Sequence, residues 1–257
     1  MTDPRWTVIT GASSGIGTEM ARLAAARGRA IVLVARRAER LETLRTELAA
    51  AGARVETLVL DLEAPSSAEA LVAWLAETGI EVDTLVNNAG FGLRGGFATM
   101  PYGQQAAMVE LNVTTLTRLC RLVLPGLVAR RRGGIINVSS MAAFQAIPFM
   151  AVYAATKAYV LSLSEALHEE VRRHGVTVTA VCPGPTATEF AARADLEKSK
   201  LFRTGAMSAV DVARLGLDGY EAGRAIVVTG VGNHVIGIAS KLLPRALVRR
   251  AAGWMQG

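Results

Sequence analysis

Short runs rich in β-branched residues alternate with longer amphipathic segments along the whole chain. The runs are Trp6–Thr10, Ala30–Ala35, Val55–Leu60, Thr84–Asn88, Gly134–Ser139, Val176–Cys182 and Ala225–Thr229. Their apolar content is continuous rather than alternating, which predicts strands covered on both faces, as in a parallel sheet. Between them lie helical patterns such as "RAERLETLRTELAAAG", with Gly52 as its stop. Seven strands with helical crossovers predict a doubly wound α/β fold with a seven-stranded parallel sheet. No linker, low-complexity tract or internal repeat divides the chain, so one domain over residues 1–257 is expected.

Composition narrows the class. At 257 residues the chain can bury a large core, and 51% hydrophobic against 19% charged residues marks it as globular rather than disordered. The net charge of +6 suits nucleic acid, an anionic membrane surface or phosphate-bearing ligands. No zinc-ligand spacing and no basic stripe interleaved with aromatics is present, which argues against nucleic acid. Cys120 and Cys182 both sit in apolar patterns and read as reduced core thiols of a cytoplasmic protein. The start "MTDPRWTVIT" lacks the regions of a signal peptide, and no run of 18 apolar residues predicts a membrane-spanning helix.

The segment "VITGASSGIGTEMARLAAARG" follows the first strand and opens a helix. Glycines at Gly11, Gly15 and Gly17 would permit a tight turn and close backbone approach to a phosphate at the helix N-terminus. The second strand ends "LVARRAER", with Arg36 and Arg37 where an acid for a cofactor ribose would fall. A carboxylate there would repel the 2′-phosphate of NADP, whereas a guanidinium binds it bidentately. The competing reading, a solvated arginine pair, is weakened because cations are unfavourable at a helix start. NADP is therefore the expected cofactor, with Arg36 the favoured ligand.

Two helices carry polar residues on apolar stripes. In "VYAATKAYVLSLSEALHEEVRRHG", Tyr153, Lys157, Val160, Ser164, Leu167 and Val171 share one face. Lys157 there either snorkels to water or holds its ammonium beside the Tyr153 phenol, favouring the phenolate. In "MVELNVTTLTRLCRLV", Asn112 falls in line with Val109, Leu116, Leu119 and Val123. A buried amide satisfied by a neighbouring strand would explain it equally well.

With "TGASSGIG", "DL" at Asp61–Leu62, "NNAG" at Asn87–Gly90, "LNV" around Asn112, Ser140, Tyr153–Lys157 and "PGPTAT" at Pro183–Thr188 in this order, the chain resembles the short-chain dehydrogenase/reductase family over nearly its whole length. The resemblance implies a Rossmann fold and hydride transfer between NADP(H) and a carbonyl or secondary alcohol. It implies Tyr153 as general acid/base, Lys157 as the group that lowers its pKa and holds the nicotinamide ribose, and Ser140 as a donor to the substrate oxygen. Asn112 would support a water linking Lys157 to solvent, and Ser139 would be structural. Gly11, Ser13, Ser14, Gly15, Ile16 and Gly17 would hold the cofactor phosphates, with Arg36 and Arg37 near the 2′-phosphate. Asp61 and Leu62 would meet the adenine, Asn88, Ala89 and Gly90 would line the cofactor, and Pro183, Gly184, Thr186 and Thr188 would reach its nicotinamide end. The two threonine hydroxyls could equally be local turn-formers. No metal is implied.

Met141, Phe144, Phe149 and Met150, with Phe91, Leu93 and Phe97, are candidate walls for an apolar substrate, with ordinary core packing as the other reading. Residues 186–207 fall where family members carry a substrate lid. The tail 238–257 mixes Lys241, Arg245, Arg249 and Arg250 with leucines and Trp254. It reads as packed on the subunit or a partner, with the arginines snorkelling, rather than as a membrane-surface element, because Pro244 interrupts the pattern. The resemblance also implies a homodimer or homotetramer built on the helices around Asn112 and Tyr153. A non-catalytic NADP(H) sensor or scaffold is the alternative; the intact Asn112, Ser140, Tyr153 and Lys157 argue against it.

Overall fold

The computed structural model describes residues 5–190, 205–230, 232–233 and 243–256. Strands and helices alternate as β1 (Trp6–Thr10), α1 (Gly15–Ala26), β2 (Ala30–Ala35), α2 (Ala38–Ala50), β3 (Val55–Val59), α3 (Ser67–Glu77) and β4 (Val82–Asn87). There follow α4 (Tyr102–Val109), a π-helical stretch (Glu110–Thr115), α5 (Leu116–Arg130), β5 (Gly134–Val138), α6 (Ala151–Val171) and β6 (Thr177–Cys182). The short β7 (Thr186–Ala187) and β8 (Met207–Ser208) precede α7 (Ala209–Glu221), β9 (Ile226–Val228) and α8 (Arg245–Gln256).

Seven strands form one sheet in the order β3-β2-β1-β4-β5-β6-β9, every pairing parallel. The two-residue period of each strand divides its side chains between two cores. Val8, Val32, Leu85 and Ile135 pack with α3, α5 and α6. Their chain neighbours Ile9, Leu33, Val86 and Ile136 pack with α1, α2 and α7. Both faces are thus dry, which is why the strands read as continuous apolar runs. Strand order reverses between β1 and β4, the place where such sheets open a crevice at their carboxyl ends.

One expected stripe is corrected. Val109 is 41% exposed, and Met108 takes the inward place above Asn112. The π-helical stretch Glu110–Thr115 inserts an extra residue in the turn, so the 3.6-residue phase downstream of Asn112 does not continue upstream. The stripe on α6 holds, with Tyr153, Lys157, Val160, Ser164 and Val171 buried. Residues 191–204 of the expected lid, and Lys241 in the tail, lie outside the described residues. The ends of the lid segment are tied together by the β7–β8 pair, Thr186 opposite Met207.

Candidate active site

A cavity of about 480 Å³ opens across the carboxyl ends of the central strands. Its size is that of an ordinary small-ligand site. It brings together Gly11, Ser13, Ser14, Gly15, Ile16, Arg36, Arg37, Asp61, Leu62, Asn88, Ala89 and Gly90 at one end and along its floor. Ser140, Tyr153, Lys157, Pro183, Gly184, Thr186 and Thr188 complete the wall. Of the expected residues only Gly17 and Asn112 stand behind that wall.

The glycine loop is built for close approach. Gly11 has φ +65°, and a Cβ there would lie 2.8 Å from Asn88 Nδ2 and 2.9 Å from the Ala89 backbone. A Cβ at Gly17 would run into Asn88 Nδ2 and the Gly11 carbonyl, so no side chain fits there. Asn88 fills this space deliberately: Nδ2 donates to the Thr10 and Gly11 carbonyls at 3.0 and 3.1 Å, tying β4's end to the loop. Ser14 precedes α1 in an extended conformation and gives it no side-chain cap, and the first turn holds no acid. The leading N–H groups of α1 are thus left for an anion at the cavity edge. A dinucleotide phosphate fits this cradle.

Both arginines border the cavity, with different partners. Arg36 pairs with Glu63 at 3.0 Å and, more loosely, with Asp61 at 3.7 Å. Arg37 reaches the glycine loop, donating Nε to Ser13 Oγ at 3.1 Å, and pairs with Glu189 at 2.7 Å. Arg40 also pairs with Glu189. Leu62 is buried, and its carbonyl accepts from Thr115 Oγ1 at 3.0 Å. Thr186 Oγ1 donates to the Gly184 carbonyl at 3.0 Å, and Thr188 Oγ1 to the Thr186 carbonyl at 3.4 Å, so both hydroxyls shape the turn after the prolines.

At the other end, Ser140 Oγ accepts from the Ala142 amide at 3.1 Å and caps the 3₁₀ turn Met141–Phe144. Ser139 is buried behind it, donating to the Lys157 carbonyl at 2.8 Å. Lys157 is buried, and its Nζ donates to the Val138 carbonyl at 2.8 Å. Burial pushes the Lys157 pKa down to about 8. Burial also pushes the Tyr153 hydroxyl up to about 12, with a hydrogen bond from Ser140 pulling the other way. Burial thus sets the Tyr153 pKa above its ordinary value in the protein alone. Desolvation of the phenolate outweighs an ammonium 5.9 Å from the ring centroid.

Asn112 is almost wholly buried, and its amide is spent on the segment after β4. Oδ1 accepts from the Phe91 amide at 3.1 Å, while Nδ2 donates to the Phe91 carbonyl at 2.9 Å and to Thr156 Oγ1 at 3.2 Å. Gly90 lies between Asn112 and Lys157: a Cβ there would stand 2.8 Å from Asn112 Oδ1 and 3.6 Å from Lys157 Nζ.

Among the expected apolar walls, Phe91, Met141 and Met150 line the cavity. Phe144 instead packs with Leu161, Ala180 and Cys182. Leu93, Phe97 and Phe149 border a separate small hollow, and Phe149, at φ +65°, faces outward. Sequence reasoning missed Phe190, whose ring lies 5.5 Å from that of Tyr153. It also missed Gly92, where a Cβ would approach the Tyr153 ring to 3.0 Å, and Glu189, Gln145 and Ile147 in the wall. Their only sequence signal was proximity to the quoted motifs.

A family model described as short chain dehydrogenase matches residues 5–199. The chain is 36% identical over 189 residues to an uncharacterized oxidoreductase of Myxococcus xanthus, covering 73% of this chain and 74% of that one. It is 34% identical over 191 residues to the very-long-chain 3-oxoacyl-CoA reductase of Bos taurus, covering 72% of this chain and only 61% of the bovine protein's length. Its structure is similar to that of a short-chain dehydrogenase from Sphingobium yanoikuyae in complex with NADPH, with TM-score 0.82, 34% identity, and 93% and 94% of the two chains covered.

Proposed function

Because the chain belongs to the short-chain dehydrogenase family, we propose that it is an NADP-dependent reductase of apolar ketones, reversible as a secondary-alcohol dehydrogenase. The observation that carries this reading is the convergence of Ser140, Tyr153 and Lys157 on one cavity that also holds the glycine cradle and two arginines. The bound dinucleotide supplies the hydride that reaches the carbonyl carbon, and the protein's part is position and the proton. Ser140 Oγ donates to the carbonyl oxygen as negative charge gathers there. Tyr153 keeps its proton at neutral pH and passes it to that oxygen, leaving a phenolate. Lys157, largely charged at neutral pH, is the counter-charge to that phenolate. Asn112 positions the Phe91 segment and Gly90 beside Lys157, where the expected water link would run.

NADP is favoured over NAD because Arg36 and Arg37 directly follow β2, where a ribose-binding acid would otherwise fall. Arg36 would exchange its carboxylate partners, the half-buried Glu63 and the exposed Asp61, for a 2′-phosphate. A relative named as a 3-oxoacyl-CoA reductase supports a ketone substrate, and Phe91, Met141, Ile147 and Met150 support an apolar one. A homodimer or homotetramer through α5 and α6 fits their outward Leu122 and Tyr159. No helix among the described residues is long and apolar enough to cross a membrane.

The test is titration with NADPH and NADH by cofactor fluorescence, followed by absorbance assays with apolar ketones. NADPH should bind more tightly and be oxidised. Tyr153→Phe should abolish turnover with cofactor affinity little changed, and undiminished turnover would remove the proton role. Tight binding without turnover on any ketone would favour the sensor reading.

A further inference from the structure

Glu189 and Phe190 follow closely on β7 and reach opposite ends of the cavity. The Glu189 carboxylate pairs with Arg37 at 2.7 Å and with Arg40 as well, so two guanidiniums at the start of α2 close on one anion. Arg37 also donates Nε to Ser13 Oγ and Nη2 to the Ser13 carbonyl, which ties this charged group to the glycine loop. The arginines, Arg37 foremost, hold the Glu189 carboxyl below the usual carboxylate range, so it is charged at neutral pH. The next side chain turns to the reaction end. The Phe190 ring lies 5.5 Å from that of Tyr153, tilted by 44°. A Cβ at Gly92 would stand 2.9 Å from Phe190 Cζ and 3.0 Å from Tyr153 Cδ2, so glycine leaves room for that contact. Just upstream, Thr188 rests on the glycine loop, since a Cβ at Gly15 would meet its Cγ2 at 3.0 Å.

We propose that Glu189 is a cofactor-specificity residue: it holds, between Arg37 and Arg40, a place that a 2′-phosphate takes from it. This assignment rests on the NADP reading of that end of the cavity. Two guanidiniums beside the glycine loop make an anion site, and guanidinium binds phosphate as readily as carboxylate. Charge decides the exchange. A 2′-phosphate brings nearly two negative charges against the one of a carboxylate, and the two anions repel when they crowd the same pair of arginines. Glu189 is about half exposed, so water takes up its carboxylate as it leaves. Phe190 shares its backbone and then loses one of the two anchors of this segment, the other being the Tyr153 ring. Release of Glu189 therefore frees Phe190 to leave that ring and opens the reaction end. A cofactor without the 2′-phosphate leaves Glu189 paired and Phe190 on Tyr153. Glu189 thus discriminates twice, in binding and in access to the proton donor, and Arg40 joins the residues that hold the phosphate.

The experiment is calorimetric titration of the full chain with adenosine 2′,5′-bisphosphate and with adenosine 5′-monophosphate, which differ only in the 2′-phosphate. Wild type should prefer the bisphosphate. Glu189→Gln should tighten the bisphosphate by about threefold to tenfold, less at high salt, and leave the monophosphate unchanged. Arg40→Ala should weaken the bisphosphate about tenfold and spare the monophosphate. A second readout follows Phe190. Acrylamide quenching of the fluorescence that Phe190→Trp adds should rise with the bisphosphate and not with the monophosphate. With Glu189→Gln also present, it should be high before any ligand is added. Circular dichroism of each variant establishes that the fold is kept. If wild type prefers the bisphosphate but Glu189→Gln binds it no better, or both ligands change the quenching alike, the proposal is overturned and the NADP reading stands. Equal affinity of wild type for the two ligands would remove the NADP reading, and the proposal with it.

Discussion

Replacing Lys157 with Met should make the cofactor-free protein more stable while removing its turnover. Lys157 is 6% exposed, and no carboxylate pairs with it among the described residues. Its pKa falls from 10.5 to about 8 because burial disfavours the ammonium. The folded protein thus holds this proton more weakly than the unfolded chain, so stability rises with pH between the two values. At neutral pH, below both, the full penalty applies and comes to about 3 kcal/mol. Met retains the stem's volume but leaves the Val138 carbonyl without its donor, which returns about 1 kcal/mol. The net expectation is a gain of about 2 kcal/mol at neutral pH.

The assay is urea unfolding of wild type and Lys157→Met at two pH values. At about pH 9.5 most of the ammonium penalty is gone from the folded wild type, leaving about 1.4 kcal/mol. The variant's advantage should therefore shrink to nearly nothing there. A variant that is less stable at neutral pH, or an advantage that does not change with pH, would refute the reasoning. Either result would mean that the ammonium is better solvated or paired than its surroundings indicate.

Asn112→Ala should cost about 2–4 kcal/mol in the same urea assay, because both the amide and the carbonyl of Phe91 lose their partner in a buried place. Gly11→Ala should reduce NADPH affinity at least tenfold by pushing on Asn88 and Ala89, whereas Gly79→Ala, with a similar φ of +67° and open space, should cost only about 1 kcal/mol of strain and leave affinity alone. Ser140→Ala should lower turnover by about a hundredfold and move the alkaline limb of alcohol oxidation upward, since it removes the bond that pulls the Tyr153 pKa down. Arg36→Asp should weaken NADPH far more than NADH in fluorescence titrations, and equal losses for both would sink the assignment of the 2′-phosphate to this end of the cavity.

The sheet was legible because its central strands are covered on both faces and show it in largely apolar runs. The places where reading failed have physical causes. Strand β4 begins at Val82, two residues before the apolar run, because the buried Asp83 is neutralised by Arg29 at 2.9 Å. A carboxylate inside a strand looks like a loop until its partner, 54 positions away, is known. The misplaced Val109 is a failure of the period itself. A helical stripe is extrapolated at 3.6 residues per turn, and a π-helical stretch inserts a residue without changing the local composition. The β7–β8 pair is two residues long and joins partners 21 positions apart, so neither strand has a pattern to read.

The site was legible where residue order carried it and opaque where distance did. Gly92 and Phe190 touch the same Tyr153 ring from segments almost a hundred positions apart, and nothing in either segment names that partner. The proton chemistry shows the same divide. From the sequence, an ammonium one turn from a phenol argues for a lowered tyrosine pKa; in the folded protein the two groups share a dry pocket that penalises both charges. Tyr153 then holds its proton and Lys157 loosens its own, so the cofactor-free resting state is phenol with a mostly charged amine. For carbonyl reduction that state is already the loaded acid. Its rate should be flat between about pH 6 and 7, below both values, and fall above about pH 8 as Lys157 loses the proton that balances the phenolate. Alcohol oxidation needs the phenolate, and its rate should climb through the same window. Steady-state rates in the two directions over one pH series decide the matter: parallel profiles would mean that Tyr153 is not the group exchanging the proton.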